Sequence, residues 1–385
     1  VRAALISIAE TSPIAGKSLA RRQLDFALAA GCERVIALGN GASPEAIALR
    51  HAAEARGARF QSIGDAHGLL GAVPAADELL VLAPGLLPED ARALEALERG
   101  TAVLVLPAGP GVAAGFERID LERAWGGALV LGGRLVERLS DLPADSDATA
   151  ALLRIALQAR VAEKRLPEQA LAEGSWAILG EGGNPAQRQQ AWLARHLPPA
   201  TGFGAMRLAR LALERLAAPL LAEPRALAGL WGGLALALVG AIGAALSGWP
   251  ALGLLLVAVA AVLAAIAAGL RRLRDAPFGA PPKRLALLVP CMVDVALAVG
   301  AALAIEGSWL HRLFPPLMLL GVLHASRPGE WPRGAAVLGD RALLALAFAL
   351  AAALDLAEPA VMLAALLIVA LDAAVFRARP RITPI

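Results

Sequence analysis

The sequence predicts two fold classes in one chain: an α/β domain with a mostly parallel sheet over residues 1–200, and an all-α domain of six transmembrane helices over 226–385. An amphipathic helix at 204–223 joins them. Three observations predict this. The chain is 58% hydrophobic and 18% charged, with a mean hydropathy of +0.62, whereas a soluble domain is about 45–50% apolar and about 25% charged. Charges keep an ordinary spacing through 1–200 and thin out over 226–376. Short apolar runs alternate with amphipathic stretches in the first part, and six apolar segments fill the second.

In the first part, VRAALISIA (1–9) reads as a strand and 18–30 as a helix stopped by Gly31. ERVIALG (33–39) is a second strand, 44–56 a helix ending on Gly57, and ARFQSI (58–63) a third strand. ELLVLAPG (78–85) and AVLVLPAG (102–109) are buried strands with a helix over 88–98 between them. Ligands of such sheets sit at the carboxyl ends of the strands. That directs attention to the loops 8–16, 39–43 and 83–88. GEGGNP (180–185) reads as a loop before a helix at 186–196.

The net charge of +3 does not point to nucleic acid, because the arginines cluster at the ends of hydrophobic segments, as membrane topology demands. Cys32 and Cys291 lie far apart and read as small buried residues, and His51, His67 and His196 lack partners at metal-ligand spacing. The opening VRAALISIAE is too short an apolar run for a cleavable signal, so the first domain is expected in the cytoplasm.

The stretch IAGKSLARRQLDFALAAGCERVIAL (14–38) resembles the start of nucleotidyltransferases that join nucleoside triphosphates to sugar phosphates or molybdopterin, and GFERIDLERAWGGALVLGGRLVERLSDLPADSDATAALLRIAL (115–157) resembles their second half. The resemblance implies a nucleotide site near Lys17, Arg21 and Arg22. The sequence departs from the family where chemistry would sit. AETSPIA (9–15) lacks the glycine, arginine and lysine that wrap a triphosphate, and the metal-binding aspartate position falls near Pro84 or Gly85.

The six apolar segments lie at 226–247, 250–270, 285–305, 312–325, 342–356 and 358–376, the fourth and fifth being short for a span. Arg271, Arg272, Arg274, Lys283 and Arg284 lie between the second and third. Arg327, Arg333 and Arg341 lie between the fourth and fifth, and Arg377, Arg379 and Arg381 follow the sixth. All fall on one side, which predicts a multi-pass protein of the inner (cytoplasmic) membrane with both termini cytoplasmic. Asp294, Asp355 and Asp372 lie in or near spans, where a carboxylate calls for a functional hypothesis. Asp372 is expected to pair with the basic tail.

A basic amphipathic helix followed by six spans, with a charged loop between the second and third, resembles the CDP-alcohol phosphotransferases of phospholipid synthesis. LPPATGFGAMRLARLALERLA (197–217) resembles the junction of bifunctional inositol-phosphate enzymes, which carry a nucleotidyltransferase domain in front. The family places its metal-binding aspartates across spans two and three. Here AAIAAGLRRLRD (264–275) keeps Gly269, but Ala265 and Ala268 stand at aspartate positions, and Pro290 replaces a third before Asp294. The resemblance implies Mg²⁺ or Mn²⁺ if the protein is active, with Asp294 and Asp275 as remaining ligands and Asp294 as candidate catalytic residue. It also implies an anionic or CDP-linked headgroup on Arg271, Arg272, Arg274, Lys283 and Arg284, membrane lipids as partners, and a homodimer. Three functions are weighed. The foremost is a catalytically degenerate relative binding an anionic lipid or nucleotide in a regulatory or scaffolding role. The others are an active transferase and an unrelated transporter-like protein.

Overall fold

The apolar runs of the first part pair as a mixed seven-stranded sheet. The computed structural model describes residues 1–8, 13–179, 184–197, 204–223, 225–278, 283–326, 331–332 and 334–378, without the side chains of 185, 283–287 and 336. The chain divides into two units, Val1–Gln190 and Ala191–Ile385.

The first unit runs β1 (Arg2–Ser7), α1 (Leu19–Ala29), β2 (Arg34–Leu38), α2 (Pro44–Glu54), β3 (Arg59–Ile63), α3 (Gly68–Ala72), β4 (Glu78–Leu82), β5 (Leu86–Pro88), α4 (Ala91–Glu98), β6 (Ala102–Pro107), α5 (Ala108–Ala113), β7 (Arg123–Gly132), α6 (Gly133–Val136), α7 (Ala148–Gln158), β8 (Glu163–Arg165), α8 (Gln169–Ala172) and β9 (Trp176–Ile178). The sheet order is β3-β2-β1-β4-β7-β6-β8, and β5 and β9 form a separate antiparallel pair. Only β7 runs against its neighbours β4 and β6. Helices start where the sequence supplies caps. The Ser18 and Ser43 hydroxyls accept from the Arg21 and Ala46 amides, opening α1 and α2. The central strands are apolar on both faces because helices cover both. Leu5, Ile36, Leu80 and Val103 have no exposed surface, and each such side chain contributes about 1.5–3 kcal/mol through burial.

β7 carries a bulge. Val103 pairs with Leu129 and Val105 with Trp125, so the register shifts at Gly126 and Gly127. Gly127 has φ +77°, and a Cβ on Gly126 would stand 3.1 Å from the Leu104 carbonyl oxygen. The bulge carbonyls are satisfied: the Trp176 indole donates to Gly126 at 2.7 Å and the Ala83 amide to Gly127 at 2.7 Å.

α9 (Pro185–His196) is followed by the helices of the second unit: α10 (Gly204–Ala222), α11 (Ala226–Leu246), α12 (Pro250–Asp275), α13 (Lys283–Leu303), α14 (Trp309–Ala325), α15 (Arg341–Ala353) and α16 (Ala357–Ala378). α12 is central, packing on α10, α11, α13 and α15. The core holds Leu254, Val257, Leu297, Ala345, Phe348 and Val361. Leu236, Val239, Leu310, Phe314, Leu350 and Leu366 stay exposed, an outward apolar surface suited to lipid. Six spans were expected. Among the described residues, three helices are long and apolar enough to cross a membrane: α11, α12 and residues 357–377 of α16. α15 has 13 residues and rises about 20 Å, short of the ~30 Å hydrocarbon core.

Candidate functional site

In the second unit the C-terminal half of α12, the middle of α13 and the starts of α10 and α15 enclose a cavity of about 500 Å³. The long alanine-rich run of α12 makes it: Ala261, Ala264, Ala265 and Ala268 leave room that larger side chains would fill. Val289, Pro290 and Val293 of α13, Trp231 of α11 and Met206 of α10 complete an apolar wall. One end is polar, formed by Arg271, Arg272 and the Gly339–Arg341 segment.

Asp340 organises that end. Its Oδ1 accepts from the Ala342 and Leu343 amides at 2.9 and 3.1 Å and caps α15, while Oδ2 accepts from the Ala205 amide at 3.0 Å at the start of α10. One carboxylate thus satisfies the N-termini of two helices. Gly204 makes the double cap possible: it has φ +53°, and a Cβ there would stand 2.6 Å from the Asp340 carboxylate.

Asp294, 3% exposed, is engaged by Arg341, whose Nε donates at 3.0 Å and Nη2 at 3.4 Å. His324 Nε2 lies 3.4 Å from its Oδ2, the oxygen that Arg341 Nη2 also faces. This carboxylate ties α13 to the start of α15 and the end of α14. Asp275 lies 3.8 Å from Arg271 one turn earlier. A divalent metal takes about six oxygen donors in Mg²⁺-type sites. The candidate ligands Asp294 and Asp275 do not fit that need, since each faces a guanidinium, and no three His, Cys, Asp or Glu gather among the described residues.

The remaining basic candidates are dispersed. The Arg274 guanidinium donates to the Glu223 carbonyl at 3.4 Å. Lys283 and Arg284 open α13, and their side chains lie outside the described residues, as do Arg327, Arg333, Arg379 and Arg381. Asp372 was expected to pair with the basic tail, of which Arg379 and Arg381 lie outside the described residues. It accepts from the Ser326 hydroxyl and, at 2.7 Å, from the Trp331 indole, because the end of α14 returns beside α16. Asp355 lies in the turn before α16 with φ +56°.

In the first unit, the expected nucleotide-binding residues meet carboxylates. Lys17 Nζ is 2.8 Å from Asp25, which also pairs with Arg21 at 3.5 Å and Arg56 at 2.8 Å. Burial pushes the Lys17 ammonium below its ordinary value, against the pull of Asp25. Arg22 turns inward to Glu89, both side chains nearly fully buried, and donates to the Ile14 carbonyl at 2.6 Å. Residues 9–12 and 180–183, within the loops singled out from sequence, lie outside the described residues. Asp90 caps α4. Its burial disfavours ionisation, but hydrogen bonds from Arg92, Ser175 and the Ala93 amide outweigh that and hold it below the usual carboxylate range. The carboxyl end of β4 opens on a second cavity of about 180 Å³, lined by Ala83, Pro84, Phe116, Glu117 and Asp147 among others. Cys32 is buried, which pushes its thiol up to about 12, whereas Cys291 is exposed. His67 lies 2.7 Å from the Leu142 carbonyl, and His196 stacks on Trp192 at 4.2 Å.

Sequence reasoning selected Arg271, Arg272 and Asp294 and missed Asp340, Arg341's pairing and His324. The signal for Asp340 was present, since an aspartate before an apolar run is a helix start. Comparison with protein-family models and with characterised proteins finds no match to this sequence.

Proposed function

We propose that the protein is a multi-pass membrane protein related to the CDP-alcohol phosphotransferases with a nucleotidyltransferase-like domain in front. It binds an anionic lipid or nucleotide headgroup without the parental transfer chemistry, in a regulatory or scaffolding role. The observation that carries this reading is the cavity beside Ala265 and Ala268. The resembling enzymes hold aspartates at those positions. Here the wall is apolar, and the polar end holds Arg271, Arg272 and the Asp294-paired Arg341, beside Asp340, whose carboxylate accepts from three backbone amides. Such a site suits one anionic group with apolar chains attached. Asp294 does not restore the chemistry in this reading, because Arg341 and His324 occupy it. The basic residues at the end of α12, the start of α15 and the end of α16 support six crossings with both termini cytoplasmic.

The test uses the full chain in detergent with Mg²⁺. Phosphatidic acid, CDP-diacylglycerol and CTP are titrated, and turnover is followed separately. We expect saturable binding of at least one anionic probe, no turnover, and a roughly tenfold loss of affinity in Arg272→Gln, the scale of one charge-assisted contact. Turnover that disappears in Asp294→Asn would sink the degenerate reading in favour of an active transferase.

A further inference from the structure

We infer that Asp294 is a built-in anion that competes with the ligand for Arg341, so that the site is held partly closed by its own carboxylate. The inference rests on the cavity-binding reading above. Arg341 lines the cavity, yet each of its three nitrogens already donates to the protein. Nε and Nη2 face the two oxygens of Asp294 at 3.0 and 3.4 Å, and Nη1 donates to the Gly339 carbonyl at 2.8 Å. Asp294 is 3% exposed, so water does little to screen it and it holds a cation firmly. Its second neighbour is weaker: His324 is a partner in charge only when protonated, and its Nδ1 lies 2.9 Å from the Leu320 carbonyl. Arg271 and Arg272 differ from Arg341. The first faces Asp275 at 3.8 Å, near the limit of an ion pair, and the second is exposed.

A phosphate arriving at this end meets Arg271 and Arg272 readily and Arg341 only by sharing it with Asp294 or displacing it. Sharing places two anions on one guanidinium in a poorly screened site. Displacement strips a buried carboxylate of its best partner. Sharing weakens binding directly, and with displacement the apparent affinity is the intrinsic one multiplied by the fraction of molecules in which Arg341 is free. The ligand class follows from the cavity: a phosphate group for the arginine end, with apolar chains along the alanine wall.

This gives Asp294→Asn an unusual sign. An asparagine keeps the shape and a hydrogen bond but releases the charge of Arg341. Binding of dioleoyl phosphatidic acid and of glycerol 3-phosphate to the full chain in detergent is measured for wild type, Asp294→Asn, Arg341→Gln and the double variant. We expect Asp294→Asn to bind roughly tenfold tighter, the effect of freeing one close charge pair, and the gain to vanish in the Arg341→Gln background. A gain with both probes assigns the competition to the phosphate group. A gain with phosphatidic acid alone assigns it to a lipid seated in the cavity. Unchanged or weaker binding in Asp294→Asn overturns the inference, and the cavity reading survives that outcome if Arg272→Gln still weakens binding. Absence of saturable binding in both wild type and Asp294→Asn overturns both. If Asp294→Asn does not fold, infrared difference spectra of the wild-type chain with ¹³C-labelled aspartate read the same event. A carboxylate band that shifts on adding phosphatidic acid to the wild type but not to Arg341→Gln is expected, and an unchanged wild-type spectrum or an equal shift in both overturns the inference.

Discussion

Arg22 shows how a charged residue is spent on structure. It lies one turn into α1, and its guanidinium meets Glu89 in a buried pair and the Ile14 carbonyl at 2.6 Å. Removing one member leaves the other's charge in a dry interior, which costs about 3–5 kcal/mol, whereas replacing both by apolar residues is often neutral. Arg22→Met should therefore strongly reduce amide protection in β1 and α1, measured by hydrogen exchange of the full chain in detergent. Arg22→Met with Glu89→Leu should recover most of it. A double variant no better protected than the single one would show that the pair itself is not what Arg22 supplies. From sequence, Lys17, Arg21 and Arg22 read as one basic cluster at a helix start. Lys17 and Arg21 meet Asp25 within the same stretch, the second as an i,i+4 pair that helical spacing discloses, whereas Glu89 is 67 residues from Arg22 and no local pattern reveals a partner at that distance. The same limit hid Arg341, 47 residues from Asp294. Asp294 itself was legible because a carboxylate in an apolar run is conspicuous.

The helices of the second unit were the most legible elements, because an apolar run bounded by arginines needs no partner to be recognised. α10 and α11 follow the expected limits closely, and α12 extends five residues further, to Asp275. β7 was not read as a strand. Its sequence AWGGALVLG holds the glycine pair of the bulge, and glycine interrupts the pattern that marks a strand. β5 and β9, with three residues each, are too short to carry a pattern. Packing between α11 and α12 rests on a small-residue contact that spacing alone does not disclose. A Cβ on Gly253 would stand 2.7 Å from the Ala241 carbonyl oxygen and 3.1 Å from the Ala245 Cβ. Small residues let helix backbones approach this closely in membrane proteins. Backbone cannot yield as a side chain does, so Gly253→Ala should destabilise the bundle by about 1–3 kcal/mol. Thermal unfolding in detergent measures this. Gly229→Ala, where a Cβ meets nothing within 4 Å, should leave the midpoint unchanged or raise it through its better helix propensity. Equal midpoints for the two variants would rule out the close approach.

At the scale of the molecule, the open quantity is how many times the second unit crosses the bilayer, and parity decides it. If α11 and α12 carry the chain across and back, the basic end of α12 returns to the side on which α11 begins. If α16 alone crosses after that, there are three crossings and the end of α16 lies opposite the start of α11. If α13, α14 and α15 cross as well, there are six and both ends share a side. Length favours the smaller number for α15, although an apolar 3₁₀ turn at Ala335–Gly339 precedes it, separated by the extended Asp340. Charge favours the larger. Arg271, Arg272, Arg274, Arg341 and Arg377 sit at the ends that six crossings bring to one face, and an even split of arginine across the membrane is disfavoured. The opposite ends of α14 and α16 are held by His311 and Glu358 at 3.0 Å, polar anchors fit for an outer surface. A fluorescent protein that matures only in the cytoplasm, fused behind residue 385, should therefore light up in a bacterial host, and alkaline phosphatase fused at Ser308 should be active. A dark C-terminal fusion with active phosphatase there would mean an odd number of crossings. It would put Arg377 outside and remove the charge argument on which the six-span reading stands.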